Sequence, residues 1–165
     1  MSPEEKLSIA RQLREYINEL RTLKGGFIGS LDGGPVIDLR NRCVTEGPFT
    51  SEADFNTFLL SEFLPQVSNV YHDMAQRQLR TDHDIVFTHV DLSLRNIMVK
   101  DGQIVAIIDW EAVGWYPEYW VYLKTFHGPC GEMSWIDFMP YIFPQAYEQE
   151  LITDRFFAPF LRHNY

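Results

Sequence analysis

The chain has 165 residues, 45% hydrophobic and 15% aromatic, which suits one ordinary domain with a filled core. Its formal charge of -9 and pI near 4.9 argue against a nucleic-acid or anionic-membrane partner, because both need a basic face. Neutral or cationic small molecules remain open. The longest strongly apolar run, Ile104 to Ile108, is far too short to span a bilayer, and the charged N-terminal stretch lacks the apolar centre of a signal peptide. Cys43 and Cys130 are too few and too far apart for a disulfide framework, so a reducing, cytoplasmic setting is expected.

Ser2-Pro3-Glu4-Glu5 combines a capping residue, proline at the first helical position and glutamate three after the cap, and predicts a helix. Leu7, Ala10, Leu13, Ile17, Leu20 and Leu23 continue it as one apolar stripe, ended by Gly25-Gly26. Gly25 to Pro48 is rich in glycine and turn residues and reads as a long ordered loop. Ser51 to Asp54 caps a second helix carrying Phe55, Phe58, Leu59 and Phe63. Pro65 closes or restarts it, and Val67, Val70, Tyr71, Met74 and Leu79 follow at helical spacing, so both faces read as core. From Ile85 the period changes to three short strands, Ile85 to Phe87, Ile97 to Val99 and Ile104 to Ile108. Lys100-Asp101-Gly102-Gln103 forms a hairpin turn between the last two. After Asp109 the chain reads as aromatic and helical through 117–126 and 133–147, to a tail with Phe156, Phe157, Phe160 and Leu161. No repeat or interdomain linker is visible, and 1–165 reads as a single domain.

The chemistry concentrates in "HVDLSLRN", His89 to Asn96, and in Asp109. Phosphoryl transfer to a hydroxyl requires a carboxylate that orients the acceptor and hard oxygen ligands for magnesium on the phosphates. Asp91 and Asn96 stand five apart, as in the catalytic loop H-R-D-L-x-x-x-N. Asp109 ends the following strand pair, where the D-F-G aspartate stands.

With these residues in place, "HVDLSLRNIMVKDGQIVAIIDWEAVGWYPEYW" resembles the catalytic and metal-binding region of the aminoglycoside phosphotransferase and choline kinase-like family, especially its fungal members. In that family H-G-D-L-S-x-R-N, I-I-D-W-E and G-W-Y-P-E-Y-W occur in this order. The likeness extends through "GGFIGSLDGGP" and "GPFTSEADFN" to the first helix. It implies an α+β, mostly helical, protein-kinase-like C-lobe whose small β-hairpin carries the metal-ligand positions. Asp91 resembles the catalytic base, Asn96 and Asp109 the magnesium and ATP ligands, and His89 the structural histidine of the catalytic loop. Ser93, Arg95, Trp110, Glu111, Trp115 and Tyr116 are candidates for a small-molecule cleft. Against this, Arg95 and Glu111 also fit ion pairs that fix the loop, and the aromatics fit a core. Cys43 and His83 have no companions at metal-ligand spacing, so zinc is not expected.

Two departures stand out. Val90 replaces the family's usual glycine, and a β-branched residue is not expected to take the positive φ open to glycine. No V-A-I-K strand or phosphate-covering glycine loop precedes the first helix, so the N-lobe is expected to be absent. "GGFIGS" follows a helix and reads as a cap and an acceptor-side turn, since it fits neither nucleotide-loop pattern. The capped start at Ser2 favours a self-standing C-lobe. Three functions fit these features. One is a phosphotransferase of small hydroxylated or cationic molecules, using magnesium and ATP, whose N-lobe was lost by truncation or comes from another polypeptide. The second is an ATP-independent small-molecule acid–base enzyme in the same cleft with Asp91 as base. The third is a non-catalytic binding or regulatory module whose exposed face is covered by a homodimer partner.

Overall fold

The capping residues act where the sequence places them. In the computed structural model, which describes residues 1–37, 46–126 and 135–161, α1 (Pro3–Arg21) opens on Ser2. The Ser2 hydroxyl accepts from the Glu5 amide at 3.2 Å and the Ser2 amide donates to Glu5 Oε2 at 2.6 Å, so the capping box satisfies two otherwise orphaned donors. Ile9, Ala10, Leu13 and Ile17 form the buried face. The helix ends at Arg21, before the glycines expected to stop it. Thr22 is the C-cap, and the residues after it pair with strand β2 (Ile85–Thr88): the Phe87 amide donates to Leu23 O at 3.1 Å and the Gly25 amide to Ile85 O at 2.9 Å. Strand pairing wins over the apolar period, and Leu23 is left exposed.

The larger sheet is antiparallel, in the order β1 (Gly29–Ser30), β5 (Gly114–Pro117), β2. Its central strand corrects the sequence reading, in which the chain after Asp109 is aromatic and helical through 117–126. In 114–117 Gly114 lies between Ser30 and Thr88, and Trp115 between Gly29 and Phe87. Four residues are too short for periodicity to reveal, and both partners of β5 are distant in sequence. β1 also lies inside the stretch read as a loop. The smaller sheet is the expected hairpin of β3 (Ile97–Lys100) and β4 (Gln103–Ile107). Its two-residue turn places Asp101 at φ 50° and Gly102 at φ 73°, the left-handed pair that a tight hairpin requires.

Helix α2 (Glu52–Ser61) is capped by Ser51, which accepts from the Asp54 amide at 3.1 Å. α3 (Asn69–Gln78) follows. Only one side of this pair is core: α2 buries Phe55 and Phe58, whereas α3 buries Ala75 and exposes Val70 and Met74. Between the helices the chain pairs with the C-terminal segment, Phe63 with Leu161. α4 (Trp120–Thr125) and α5 (Met139–Ile142) occupy the aromatic stretches read as helical. Part of the expected tail is instead helix α6 (Glu148–Phe157), whose Phe157 joins Phe63 and Ala75 in a second small core. The main core is aromatic: Trp120 meets Phe55 edge-on at 5.1 Å and stacks on Tyr116 at 5.9 Å. This mixed α/β architecture with small antiparallel sheets is compatible with a kinase-like fold. No helix among the described residues is long and apolar enough to cross a membrane. Cys43 and Cys130 lie outside the described residues.

The central strand gives a stability test. A Cβ at Gly114 would lie 2.3 Å from the Gly29 carbonyl oxygen, a backbone atom that can move only if β1 separates from β5, whereas one at Gly26 would meet nothing within 4 Å. Gly114→Ala is expected to lower the urea midpoint by the equivalent of about 1–3 kcal/mol. Gly26→Ala is expected to stay within about 1 kcal/mol of the parent.

Candidate functional site

Strand β2 delivers the chain to His89, and the hairpin returns it to Asp109. Between them the loop closes on itself. The Asn96 amide donates to Ser93 O at 3.0 Å, the Asp91 amide to His89 O at 2.8 Å, and Leu94–Asn96 forms one turn of 3-10 helix. The buried side chain of Asn96 donates through Nδ2 to Asp91 O at 2.9 Å and to Asp91 Oδ2 at 3.0 Å. With its nitrogen committed to Asp91, the planar amide turns Oδ1 away from that residue. Arg95 also donates to Asp91 Oδ2. Two donors therefore converge on one carboxylate oxygen, and a pair this exposed on the arginine side adds orientation more than stability.

Three backbone contacts fasten the second carboxylate. The Ile108 amide donates to Asn96 O at 2.9 Å, extending the hairpin ladder by one pair beyond Ile97 and Ile107. His89 Nε2 lies 3.0 Å from the Ile108 carbonyl oxygen; a carbonyl only accepts, so Nε2 carries the proton and Nδ1 is the lone-pair nitrogen. Trp110 Nε1 donates to Ile107 O at 2.7 Å and its ring stands edge-on to His89 at 4.5 Å. Asp109 follows Ile108 on exposed backbone at φ 68°. His89 is buried, with Nδ1 unpartnered. Burial holds its pKa below the ordinary histidine range, against the opposing pull of the Ile108 carbonyl and of Asp91 and Asp109. A neutral ring tying β2 to the end of β4 has a positioning geometry.

The fold thus brings His89, Asp91, Arg95, Asn96, Asp109 and Trp110 into one region. Ser93 is buried beneath the loop, its hydroxyl without a partner. Glu111 is exposed on the turn after Trp110. The other two candidates face elsewhere. Trp115 packs on Phe87 at 5.5 Å in the larger sheet, and Tyr116 is fully buried with its hydroxyl accepting from the Ile37 amide at 3.0 Å. A water-sized cavity of about 10 Å³ lies against His89 and Thr88, too small for a substrate. A groove of about 450 Å³ runs along α1 to Gln103 and touches none of the site residues. Neither cavity includes Asp91 or Asp109; Asp109 is exposed and Asp91 half-buried on the outer face of the loop and hairpin.

Val90 overturns one expectation. It takes φ 67°, the conformation a β-branched residue was expected to refuse. Its side chain is 1% exposed within the main core, and this burial holds the backbone in place. Position 90 therefore keeps the glycine-like path at an energetic cost of about 1–3 kcal/mol. Val90→Gly would lose the buried methyls but relieve that cost, whereas Val90→Ala would lose methyls and keep a Cβ at positive φ. Val90→Gly is expected to be at least as stable as Val90→Ala, by about 1 kcal/mol in chemical denaturation, reversing the usual order of the two residues.

Residues 45–120 match the model of the phosphotransferase enzyme family. The matched segment contains α2, α3, β2, the His89 to Asn96 loop, the hairpin and β5, and so takes in the whole candidate site. Comparison with curated proteins returned no match. The match over 45–120, somewhat under half of the chain, supports the resemblance of this site-bearing segment to the aminoglycoside phosphotransferase and choline kinase-like family.

Proposed function

We propose that the open face formed by Asp91, Asn96 and Asp109 serves ATP-dependent phosphoryl transfer to the hydroxyl of a small molecule. One observation carries the reading: the side chain of Asn96 fixes Asp91 while its backbone carbonyl fixes Ile108, one residue from Asp109. This single residue thereby relates a hydroxyl-orienting carboxylate to two hard oxygen donors.

The donor chemistry fits magnesium. The Asn96 amide oxygen and the Asp109 carboxylate are oxygen ligands of the type that ion takes. Among the described residues no three His, Cys, Asp or Glu side chains gather to hold a metal, so the remaining ligands would come from phosphate oxygens and water. When bound, the ion would neutralise charge developing on the phosphates. Asp91 is directed by Arg95 and Asn96 through Oδ2, leaving Oδ1 to accept the acceptor hydroxyl's hydrogen bond and then its proton. His89 holds the end of β4 and moves no proton in this scheme. The acidic chain suits a neutral or cationic acceptor.

Met98 and Ile108 are exposed beside the site; Met98 faces Ala106 across the hairpin, and Ile108 follows Ala106 by two residues, just past the end of β4. This apolar face supports a covering element, either a second lobe that clamps the nucleotide or a second copy of the chain.

Calorimetric titration of magnesium-ATP tests the reading. Saturable binding is expected, weakened at least about tenfold in Asp109→Ala. Asp91→Asn is expected to keep nucleotide binding and lose transfer by about 10²–10⁴-fold once an acceptor is supplied. Absence of binding at millimolar nucleotide would overturn autonomous phosphotransfer and favour ATP-independent chemistry or a binding role for the same cleft.

A further inference from the structure

Outside the site, the described residues include a buried cluster of ionisable groups drawn from three separate elements. His83, in the loop before β2, has a side chain only 2% exposed between Glu52 of α2 and Glu150 of α6, whose side chains are 4% and 10% exposed. Its Nδ1 lies 2.7 Å from Glu52 Oε1, and its backbone amide donates to Glu52 Oε2 at 3.0 Å, so Glu52 grips the residue with both oxygens. Nε2 lies 3.2 Å from Glu150 Oε1, close enough for an ion pair but not aligned as a hydrogen bond. Arg80 contributes a more distant charge, Nη1 at 3.7 Å from Glu150 Oε1, and is itself paired with exposed Asp82. Tyr119 from the start of α4 and Tyr147 from the start of α6 close the remaining sides, their rings 4.7 and 6.1 Å from the imidazole.

The protonation states of this cluster are unequal in consequence. With both ring nitrogens protonated, each N–H faces a carboxylate. After one proton leaves, the bond to Glu52 retains its hydrogen at Nδ1, and the Nε2 lone pair then faces the Glu150 carboxylate, which keeps only Arg80. A buried carboxylate set against a lone pair is unfavourable, and α6 carries that carboxylate in its first turn.

We propose that His83 is a protonation-dependent clamp, which when charged fastens α6 to the loop leading into the site-bearing strand β2 and when neutral releases the first turn of α6. Burial lowers the pKa of His83, but the hydrogen bond with Glu52 and the charges of Glu52 and Glu150 outweigh it and leave the group above the ordinary histidine range, with Arg80 opposing. A raised folded-state pKa fixes the sign. The stabilisation is fully present below the unfolded value of about 6.5 and is lost as pH rises through the folded value. The release is thus an alkaline transition, opposite to the acid-triggered opening usually associated with histidine switches.

NMR titration of the His83 ring and of the α6 backbone amides in the whole chain tests the clamp. The ring is expected to titrate above about 6.5, with the amides of residues 148–151 shifting at the same midpoint. The urea midpoint should fall across that pH range in the parent and stay flat in His83→Gln. Glu150→Gln keeps the shape of the side chain and covers the case in which His83→Gln does not fold; it should move the ring midpoint downward and uncouple the α6 amides from it. A ring midpoint at or below about 6.5, or α6 amides that do not follow the ring, would overturn the proposal.

Discussion

The site depends on the bonds made by one buried amide residue. Asn96 uses its side-chain nitrogen on Asp91, its backbone N–H on Ser93 and its backbone carbonyl on Ile108. The loop, the hairpin and the second carboxylate are thereby joined through a single residue that is 4% exposed. Breaking the bond to Asp91 O would leave polar atoms without partners near the core, at about 1–3 kcal/mol each, whereas Asp91 Oδ2 would keep Arg95. The larger sheet and the hairpin share no strand ladder. Asn96 and the His89 contact to Ile108 supply hydrogen bonds between the two, and the relation of Asp91 to Asp109 follows from them.

Backbone strain sits where these constraints are strongest. Val90 and Asp109, one beside each half of the site, both take positive φ. Aspartate tolerates that region better than most residues, whereas valine does so only because its side chain is sealed in the core. Strain that packing over-determines resists relaxation, and it helps to hold the carboxylates of Asp91 and Asp109 in one region.

The parts of this fold legible in the sequence are those whose causes lie within a few residues. Ser2 and Ser51 cap helices through amides three positions away, and Asp101-Gly102 turns a hairpin through its own dihedral angles. The spacing of Asp91 and Asn96 was readable because one side chain reaches the other within a single short loop. β5 was not readable: its four residues become a strand only because Ser30 and Thr88 flank Gly114. Local spacing speaks only to a metal site at His83 and cannot show its carboxylate partners, because Glu52 and Glu150 reach it from 31 and 67 positions away. Glu52, in the first turn of α2, has in sequence the form of an ordinary helix-dipole residue, and nothing local distinguishes it from one that is buried. Val90 differs in the opposite sense: its local preference is plain in the sequence, and the burial that overrides it is not.

The two site carboxylates differ in their charge environment. Asp91 is paired with Arg95 and receives Asn96, so its environment already contains a compensating cation. Asp109 is exposed, and among the described residues no ion pair holds it. A carboxylate whose charge is balanced and whose second oxygen is free suits an encounter with a neutral hydroxyl. An unbalanced carboxylate next to a fixed amide oxygen suits a hard cation. In a chain of formal charge -9, the repulsion from other acidic groups adds to that preference, since a cation arriving at Asp109 relieves it while an anionic ligand alone would increase it. Anionic phosphates would then reach this face most favourably together with a divalent ion.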